Sequence, residues 1–305
     1  MIDKIRLRVE GAKADTAHIK DWRRLDTHTG TGHLGNVKIS QYLDGVGIIG
    51  SLAKYLNGEN MTPLTRRGVE TAIRKLETET GISLGAAIVT QIEVGKTCVV
   101  KRCPSEYIRL FGDPPRYGRH EYRRGGMVET VNYSTPHGSY SLCVYDKAAE
   151  MKGRGAKIPA LFEACNCLRI EYGIDRRQGI KARFGHDLTA YDLFEYETYR
   201  RLQMLFLESY KAIPKTGRVV CLDKARQVTP AELEKQEAAA YREAHNDTHL
   251  AAIQTLKEAG AISDKNLERI RERDRRQRRD YTTSDVSPLI AELDGILERV
   301  VSSVV

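Results

Sequence analysis

Two short stretches of alternating polarity constrain the fold of this chain more than any other feature. Residues 139–145 read SYSLCVY and residues 168–173 read LRIEYG, and in each an apolar side chain recurs at every second position. A period of two residues indicates a β-strand with one buried face. We therefore predict two strands, the first with Tyr145 on its less apolar face and the second with Arg169 and Glu171 on its polar face.

If these two strands are neighbours in one sheet, their polar side chains share a single face. Tyr145 then lies near Glu171, and near Lys147, which follows the first strand directly. A phenol can act as a nucleophile, an ammonium group favours the phenolate, and a carboxylate can bind a metal ion. This grouping predicts phosphodiester transfer and is our central hypothesis, although tyrosines are also common in strands without any such role.

Two further carboxylates lie on predicted strands. Residues 2–9 alternate in polarity, and Asp3 falls in phase with the apolar set. Such a residue is usually a strand end that faces solvent, and a metal ligand is the alternative. Glu93 lies within a strand predicted over residues 86–94, where it either faces solvent or binds a hard cation such as Mg²⁺ or Mn²⁺.

The charge of the chain favours a polyanionic partner, because 49 Lys and Arg against 41 Asp and Glu leave a net charge of +8. Residues 116–126, RYGRHEYRRGG, interleave arginines with aromatic rings. Arginines can bind backbone phosphates while rings stack on unpaired bases, so this segment suits single-stranded DNA; the alternative is a solvated hairpin tip. The candidate DNA contacts are Arg116, Arg119, Tyr122, Arg123 and Arg124, together with Arg169 on the later strand.

The cysteines and the hydropathy pattern predict a cytoplasmic setting. None of the six cysteines forms a CxxC pair, so we expect reduced thiols and no zinc site. No apolar run is long enough to span a membrane, and the N-terminus lacks the apolar core of a signal peptide.

Turn and cap residues predict several other elements. Residues 27–36, THTGTGHLGN, read as a loop that lacks the spacing of a nucleotide phosphate cradle. A hairpin is predicted around Asp44-Gly45. A helix is predicted with Thr62 as its N-cap, ending at or before Gly81.

The composition changes in the C-terminal part, where residues 226–305 carry no strand signal and predict a helical module. Residues 249–257 and 265–273 flank a turn that contains glycine, which is typical of a helix-turn-helix or of a generic helical hairpin. The second helix leads into an arginine-rich segment that includes Arg275 and Arg276. That segment either lies along DNA phosphates or forms a salt-bridged helix.

Together these patterns predict an α+β fold in two parts. An antiparallel-rich sheet with helices on one face forms a domain over residues 1–225, and the helical module follows it over residues 226–305. The second part would be a DNA-binding module.

With these residues in view, the chain resembles the replication initiators of filamentous phages and related plasmids, of the phage gene II protein type. It is more distantly similar to rolling-circle plasmid initiators of the Rep_trans type. CVYDKAAE at residues 143–150 resembles the tyrosine strand of the family, and LRIEYGIDRRQGIKARFG at residues 168–185 resembles its R-x-E strand and the basic segment that follows. MIDKIRLRV at residues 1–9 resembles the opening strand, and VTQIEV at residues 89–94 stands where the family has an R-I-D-like strand.

The resemblance implies a nuclease scaffold of the HUH or Rep type, here without the paired-histidine motif. It makes Tyr145 the nucleophile and gives Lys147 a supporting role. It also makes Glu93 and Glu171, with Asp3 as a third candidate, ligands of a divalent metal, Mg²⁺ or Mn²⁺. Glu93 stands where related proteins often have aspartate, which lengthens the arm of that ligand.

The activity that the resemblance implies is the initiation of rolling-circle DNA replication. The enzyme would nick and rejoin one strand at an origin through a covalent 5′-phosphotyrosine on Tyr145; a relaxase or transposase would use the same chemistry. The implied partners are single-stranded or hairpin origin DNA and a host helicase and polymerase, with no membrane. The oligomeric state stays open, with a homodimer as one option. The alternative function is a non-catalytic, sequence-specific DNA-binding protein, such as a repressor or partition factor, that uses the basic C-terminal helices.

Overall fold

A computed structural model shows the fold of most of the chain. It describes residues 1–17, 19–26, 28–114, 116–124, 127–215, 255–270 and 287–302. Within these residues the protein is an α+β structure built around a large antiparallel sheet, which confirms the predicted fold class.

Ten strands form a single sheet, and every described pairing is antiparallel. Their bounds are β1 Ile2–Glu10, β2 Lys20–Arg24, β3 Gly30–Leu34, β4 Val37–Tyr42, β5 Gly45–Ser51, β6 Ile88–Val100, β7 Gly118–Arg124, β8 Met127–Ser134, β9 Tyr140–Asp146 and β10 Asn166–Ile174. Their order in space is β2-β3-β4-β5-β1-β6-β10-β9-β8-β7, so strands that are distant in the sequence meet in the middle of the sheet.

Seven helices have both ends within the described residues. They are α1 Leu52–Asn57, α2 Arg66–Thr80, α3 Pro104–Ile108, α4 Lys147–Gly153, α5 Arg177–Phe184, α6 Tyr196–Lys211 and α7 Pro288–Ser302. Of these, α6 carries an apolar stripe, with Tyr199, Leu202 and Phe206 buried. None of the helices in the described ranges is both long and apolar enough to cross a membrane.

The chain divides into two compact units. The first comprises Met1–Ile108, Arg116–Ala212 and Leu293–Val305, and it contains all ten strands. The second comprises Arg109–Pro115 and Ile213–Glu292. The boundary predicted near residue 225 lies outside the described residues, so the predicted division into domains stays a prediction.

In the second unit, helical segments occupy residues 255–258 and 264–270. Gly260 lies between them with a φ of 69°, a left-handed conformation that glycine adopts without strain. This agrees with the predicted helical hairpin over the part that is described.

The central strands have one apolar face and one polar face, as their alternation predicted. Leu142 and Val144 on β9 are buried, as are Leu168 and Ile170 on β10. The adjacent positions on the same strands therefore point to the opposite face of the sheet. That opposite face carries the candidate site.

The predicted loop at residues 27–36 is wrong over residues 30–34, because Gly30–Leu34 forms β3. Gly30 and Gly32 lie on the buried side of this strand, and a Cβ atom on Gly30 would come within 2.7 Å of the Trp22 ring. Glycines are needed there for close packing, and because they contribute no side chain they hide the alternation that marks a strand.

The helix predicted to begin at Thr62 begins three residues later. Thr65 is the N-cap, since its side chain accepts a hydrogen bond of 3.1 Å from the Gly68 amide, whereas the Thr62 amide donates to Glu59. The helix ends at Gly81, which has a φ of 65°, as predicted. The hairpin around Asp44-Gly45 is also confirmed, by the pairing of β4 with β5.

Candidate active site

Tyr145 lies next to Glu171 on the polar face of the sheet. The strands β9 and β10 are neighbours, and their register places Tyr145 opposite Arg169. Tyr145 Oη donates a hydrogen bond of 2.8 Å to Glu171 Oε1, and the tyrosine is 9 % exposed. The phenol is therefore held by a carboxylate on the polar face of the sheet and does not point into the apolar core on the other face.

A buried arginine links this carboxylate to β1. The Arg169 Nε donates to Glu171 Oε1 at 3.0 Å, and its Nη2 donates to Asp3 Oδ2 at 2.7 Å. Its Nη1 donates to the Asn60 carbonyl at 2.9 Å and to Thr97 Oγ1 at 3.1 Å. Burial alone would lower the pKa of this guanidinium, but Glu171 and Asp3 raise it, so Arg169 is a fixed cation between two acids.

Asp3 reaches this network through a β-bulge. Ile2 pairs with Val94 and Ile5 with Ile92, so β1 has one more residue than β6 over this interval. The extra residue breaks the alternation and lets Asp3 face the polar side. The prediction of a solvent-facing strand end is wrong, because Asp3 is 3 % exposed and accepts hydrogen bonds from Ser51 Oγ and Asn60 Nδ2.

Three acids form a cluster beside the phenol. Carboxylate oxygens of Asp3, Glu93 and Glu171 all lie within 4.8 Å of one another. Burial and the charges of Glu171 and Asp3 raise the pKa of Glu93 to about 8. The solvent-facing interpretation of Glu93 is therefore not supported, since its carboxyl group is in a crowded, partly desolvated site. The all-oxygen donor set is of the kind that Mg²⁺ and Mn²⁺ prefer.

Lys147 lies at the first turn of α4, directly after the tyrosine strand. It is 1 % exposed, and its Nζ is 5.6 Å from the centre of the Tyr145 ring. Nζ also donates to Glu150 Oε2 at 2.9 Å, and Arg154 holds the other oxygen of Glu150 at 2.8 Å. The Y-x-K-x-x-E motif thus places a cation next to the phenol and a counter-ion behind that cation.

Burial of these polar groups has a clear cause. Met61, Met151, Ile158 and Cys167 form a small buried cluster. Cys167 is two residues before Arg169 on β10, so the two side chains are on the same face of the sheet. This cluster covers the polar face at one end, which explains why Arg169 is screened from solvent.

The pKa of Tyr145 is raised above its ordinary value, first by burial and then by the charge of Glu171. The hydroxyl is therefore protonated at neutral pH in the absence of other charges. Burial together with the nearby acids likewise raises the pKa of the Cys143 thiol, which lies opposite Glu171 in the register. The site thus disfavours any additional negative charge until a cation enters it.

Gly95 is a site residue that the sequence analysis missed. It lies opposite Glu171, and a Cβ atom here would come within 2.8 Å of Arg169 Nη2 and 2.9 Å of Glu171 Cγ. Only glycine leaves room for the arginine to pass between the acids. A lone glycine inside an otherwise regular strand was the available signal.

Asp175 extends the polar face away from the covered end. It accepts hydrogen bonds from Gln91 Nε2 at 2.8 Å and from Ser141 Oγ at 2.6 Å. These three residues tie β6, β9 and the end of β10 together next to the acid cluster.

The arginine-rich segment forms a strand, β7, and its side chains divide between the two faces. Tyr122 lies opposite Thr130, which lies opposite Tyr145, so this exposed ring shares the face of the candidate nucleophile. Arg119 and Arg123 both contact Glu121, at 2.6 Å for the Arg119 pair. The structure therefore brings Tyr122 to the site face and places Arg119 and Arg123 on the other face.

The remaining predicted DNA contacts have different outcomes. Arg116 is exposed in the turn before β7, and Arg124 ends that strand. Arg275 and Arg276 lie outside the described residues. Arg169 must be corrected: a guanidinium that is 1 % exposed and bound by two carboxylates cannot reach a DNA phosphate, so its role is structural.

Comparison with known proteins places this chain in a family of DNA replication proteins. A family model described as the N-terminal part of a replication-associated protein, the phage gene II protein, matches residues 13–191. The chain belongs to this family, which supports a replication initiator of the rolling-circle type and confirms the resemblance seen in the sequence. The match spans Glu93, Tyr145 and Glu171 and begins after Asp3.

Among solved structures, the chain is similar to the rolling circle replication initiator protein from Geobacillus stearothermophilus. The TM-score is 0.40, with 11 % sequence identity over 77 % of this chain and 93 % of that chain. No curated protein matches the chain.

Proposed function

We propose that this protein nicks and rejoins one DNA strand at a replication origin, with Tyr145 as the nucleophile. The observation that carries the proposal is the 2.8 Å hydrogen bond from Tyr145 to Glu171, whose carboxylate belongs to the cluster with Asp3 and Glu93. A phenol beside three acids in a protein of a replication family fits transesterification of a phosphodiester better than it fits a role in packing.

The proposed step is an in-line transfer of the phosphoryl group. Tyr145 Oη forms a bond to the scissile phosphorus while the bond from phosphorus to the 3′-oxygen breaks. The phenolic proton passes to Glu171 Oε1, and the leaving oxygen takes a proton from water to give a free 3′-hydroxyl. The protein retains the 5′-phosphate as a phosphotyrosine, so the reverse reaction can rejoin ends without ATP.

Three charged neighbours support this step. Because the pKa of Tyr145 is raised, the hydroxyl needs a proton acceptor at neutral pH, and Glu171 already accepts its hydrogen bond. Arg169 holds that carboxylate in place. Lys147 favours the negative charge that develops on the phenol, because its ammonium lies 5.6 Å from the ring centre.

Asp3, Glu93 and Glu171 would hold a divalent ion, Mg²⁺ or Mn²⁺. The raised pKa of Glu93 supports this, since it reflects burial and then the charges of Glu171 and Asp3, both of which a bound cation would offset. When bound, such an ion supplies charge stabilisation to the scissile phosphate. Asp3 is also held by Arg169, Asn60 and Ser51, so its position is fixed before any ion binds.

The substrate of the proposed reaction is single-stranded or extruded origin DNA. Tyr145 is 9 % exposed on the face of a sheet, where the flexible backbone of an unpaired strand can approach its hydroxyl more closely than the stiff backbone of a duplex. In this proposal residues 1–225 carry the chemistry and residues 226–305 assist in DNA binding.

The proposal is tested by trapping the covalent product. Single-stranded origin DNA is incubated with the protein and Mn²⁺, and an adduct that survives SDS is measured on a denaturing gel. Tyr145→Phe should abolish the adduct and retain DNA binding. Tyr140→Phe is the matched control, because Tyr140 is on the same strand and stacks on Tyr172 on the opposite face.

Undiminished adduct in Tyr145→Phe would contradict the proposed nucleophile. Specific DNA binding by the wild-type protein without any adduct, whatever the divalent ion, would favour the non-catalytic DNA-binding function instead.

A further inference from the structure

The face that carries Tyr145 continues across the other half of the sheet as a basic surface. One row of paired residues crosses six strands, from β6 to β2, and every member shares this face because it is paired across the strands. In order, the row is Gln91, Arg6, Ile49, Lys38, His33 and Lys20.

A second row runs beside the first. It consists of Arg8, Gly47, Ser40, Thr31 and Arg23. Thr31 Oγ1 and Ser40 Oγ are 3.4 Å apart, which agrees with their shared face. The middle of this row therefore has small side chains and hydroxyl groups, with an arginine at each end.

The two rows, which we call the basic strip, are open to solvent and contain no carboxylate. Arg6, Lys38, Lys20 and Arg23 are all exposed. Arg8 is partly exposed, lies 4.7 Å from the centre of the Tyr42 ring and pairs with Asp44 in the adjacent turn.

The basic strip begins beside the acid cluster. Gln91 is two residues before Glu93 on β6, on the same side of that strand, and its amide is bound to Asp175. Lys4, in the bulge of β1, is near Glu93, because its charge offsets part of the rise in the pKa of Glu93. A polyanion bound along the strip would therefore end next to the acid cluster beside Tyr145.

We propose that the basic strip binds the phosphate backbone of the single-stranded DNA that leads to the scissile phosphate. This inference rests on the proposed function, to which it adds a path for the substrate. Five inter-strand steps of about 4.8 Å give the strip a length of about 24 Å from Gln91 to Lys20, enough for several nucleotides. Most of its side chains are basic, hydroxylic or small, Gln91 and Ile49 being the exceptions, and the Tyr42 ring lies beside Arg8 at one edge. The strip therefore contacts mainly phosphates.

The test measures backbone binding without any origin sequence. A fluorescein-labelled oligothymidylate of about 20 nucleotides, which covers the site size of a typical single-strand-binding domain, is titrated by anisotropy at several salt concentrations. Arg6→Gln/Lys38→Gln should weaken binding and reduce the slope of log K against log salt by about 1.4, because each single-strand phosphate contact contributes about 0.7.

The matched control removes the same charge elsewhere. Arg67→Gln/Arg200→Gln neutralises two exposed arginines, on α2 and α6, and should leave the salt slope unchanged. Lys20→Gln/Arg23→Gln, at the far end of the strip, should reduce the slope as the first pair does. Thermal melting confirms that each variant is folded.

An unchanged slope in both strip variants, or an equal loss in the control, would overturn the proposed path. Failure of the proposed function is distinguished by the covalent adduct. If the strip variants leave the salt slope unchanged while the wild-type protein forms the adduct, only the proposed DNA path is refuted. If the strip variants reduce the slope but the wild-type protein forms no adduct, only the proposed nicking reaction is refuted.

Discussion

Tyr145 Oη and Glu171 Oε1 are joined by a 2.8 Å hydrogen bond between neighbouring antiparallel strands. Glu171 accepts at the same oxygen from Arg169, which in turn binds Asp3 on the far side of β6. The phenol is thus oriented by a chain of charges that crosses four strands. This arrangement makes several outcomes measurable.

Arg169→Met should lower the free energy of unfolding by about 3–5 kcal/mol, because it leaves the carboxylates of Asp3 and Glu171 buried without their cation. Urea denaturation measures the change. Adding Asp3→Asn to Arg169→Met should cost less than the sum of the two single changes, since the two side chains interact directly. A cost no greater than that of Arg200→Met, at an exposed position, would contradict the account.

Gly95→Ala should lower the rate of adduct formation and reduce the free energy of unfolding by about 1–3 kcal/mol. The added Cβ atom would lie 2.8 Å from Arg169 Nη2, so the arginine and Glu171 must shift. Gly118→Ala on β7 is the control, because the nearest atom to its Cβ would be 3.8 Å away. Equal behaviour of the two variants would show that the close approach at Gly95 is unimportant.

Lys147→Met should slow adduct formation roughly 100-fold with little change in DNA affinity, because it removes a charge that favours the phenolate. Glu150 keeps Arg154 as a partner in this variant. The exposed Lys152, in the same helix, provides the control Lys152→Met. Single-turnover kinetics at saturating DNA separate the two effects, and a normal rate in Lys147→Met would remove this lysine from the mechanism.

Metal-stripped protein should lose stability as the pH rises from about 4.5 to about 8. The Glu93 carboxyl has an ordinary pKa of 4.5, which burial and the nearby acids raise to about 8 in the folded protein. The folded state therefore binds the carboxyl proton more tightly than the unfolded chain does. The contribution is complete below pH 4.5 and is lost as the pH passes through the folded pKa of Glu93. At about 1.4 kcal/mol per pKa unit, it amounts to a few kcal/mol.

Chemical denaturation in EDTA across this range measures that dependence. Glu93→Gln should flatten it, and Mn²⁺ should restore stability at pH 8 in the wild-type protein only. An equally flat pH dependence of the free energy of unfolding in the wild-type protein would contradict the raised pKa of Glu93.

The alternation of side chains was sufficient to predict which face Tyr145 and Glu171 share. Period-two patterns report the two sides of a strand directly, and both strands carry apolar residues on the other side. The same reasoning identified Lys147 because it follows the strand without a break.

What the sequence could not supply is the register between distant strands. Asp3 enters the site through a bulge, which a single strand pattern does not reveal because it depends on the pairing of β1 with β6. Arg169 looked like a DNA contact because arginines are usually exposed, whereas its burial depends on the acids that surround it on neighbouring strands. The strand β3 was missed because Gly30 and Gly32 carry no side chains.

The most direct test of the account identifies the residue that becomes attached to DNA. The protein is incubated with single-stranded origin DNA and Mn²⁺, the adduct is digested with nuclease and protease, and the modified peptide is sequenced by tandem mass spectrometry. The account predicts a nucleotide phosphate on Tyr145. Attachment to another tyrosine, above all to the more exposed Tyr122 on the same face of the sheet, would contradict it.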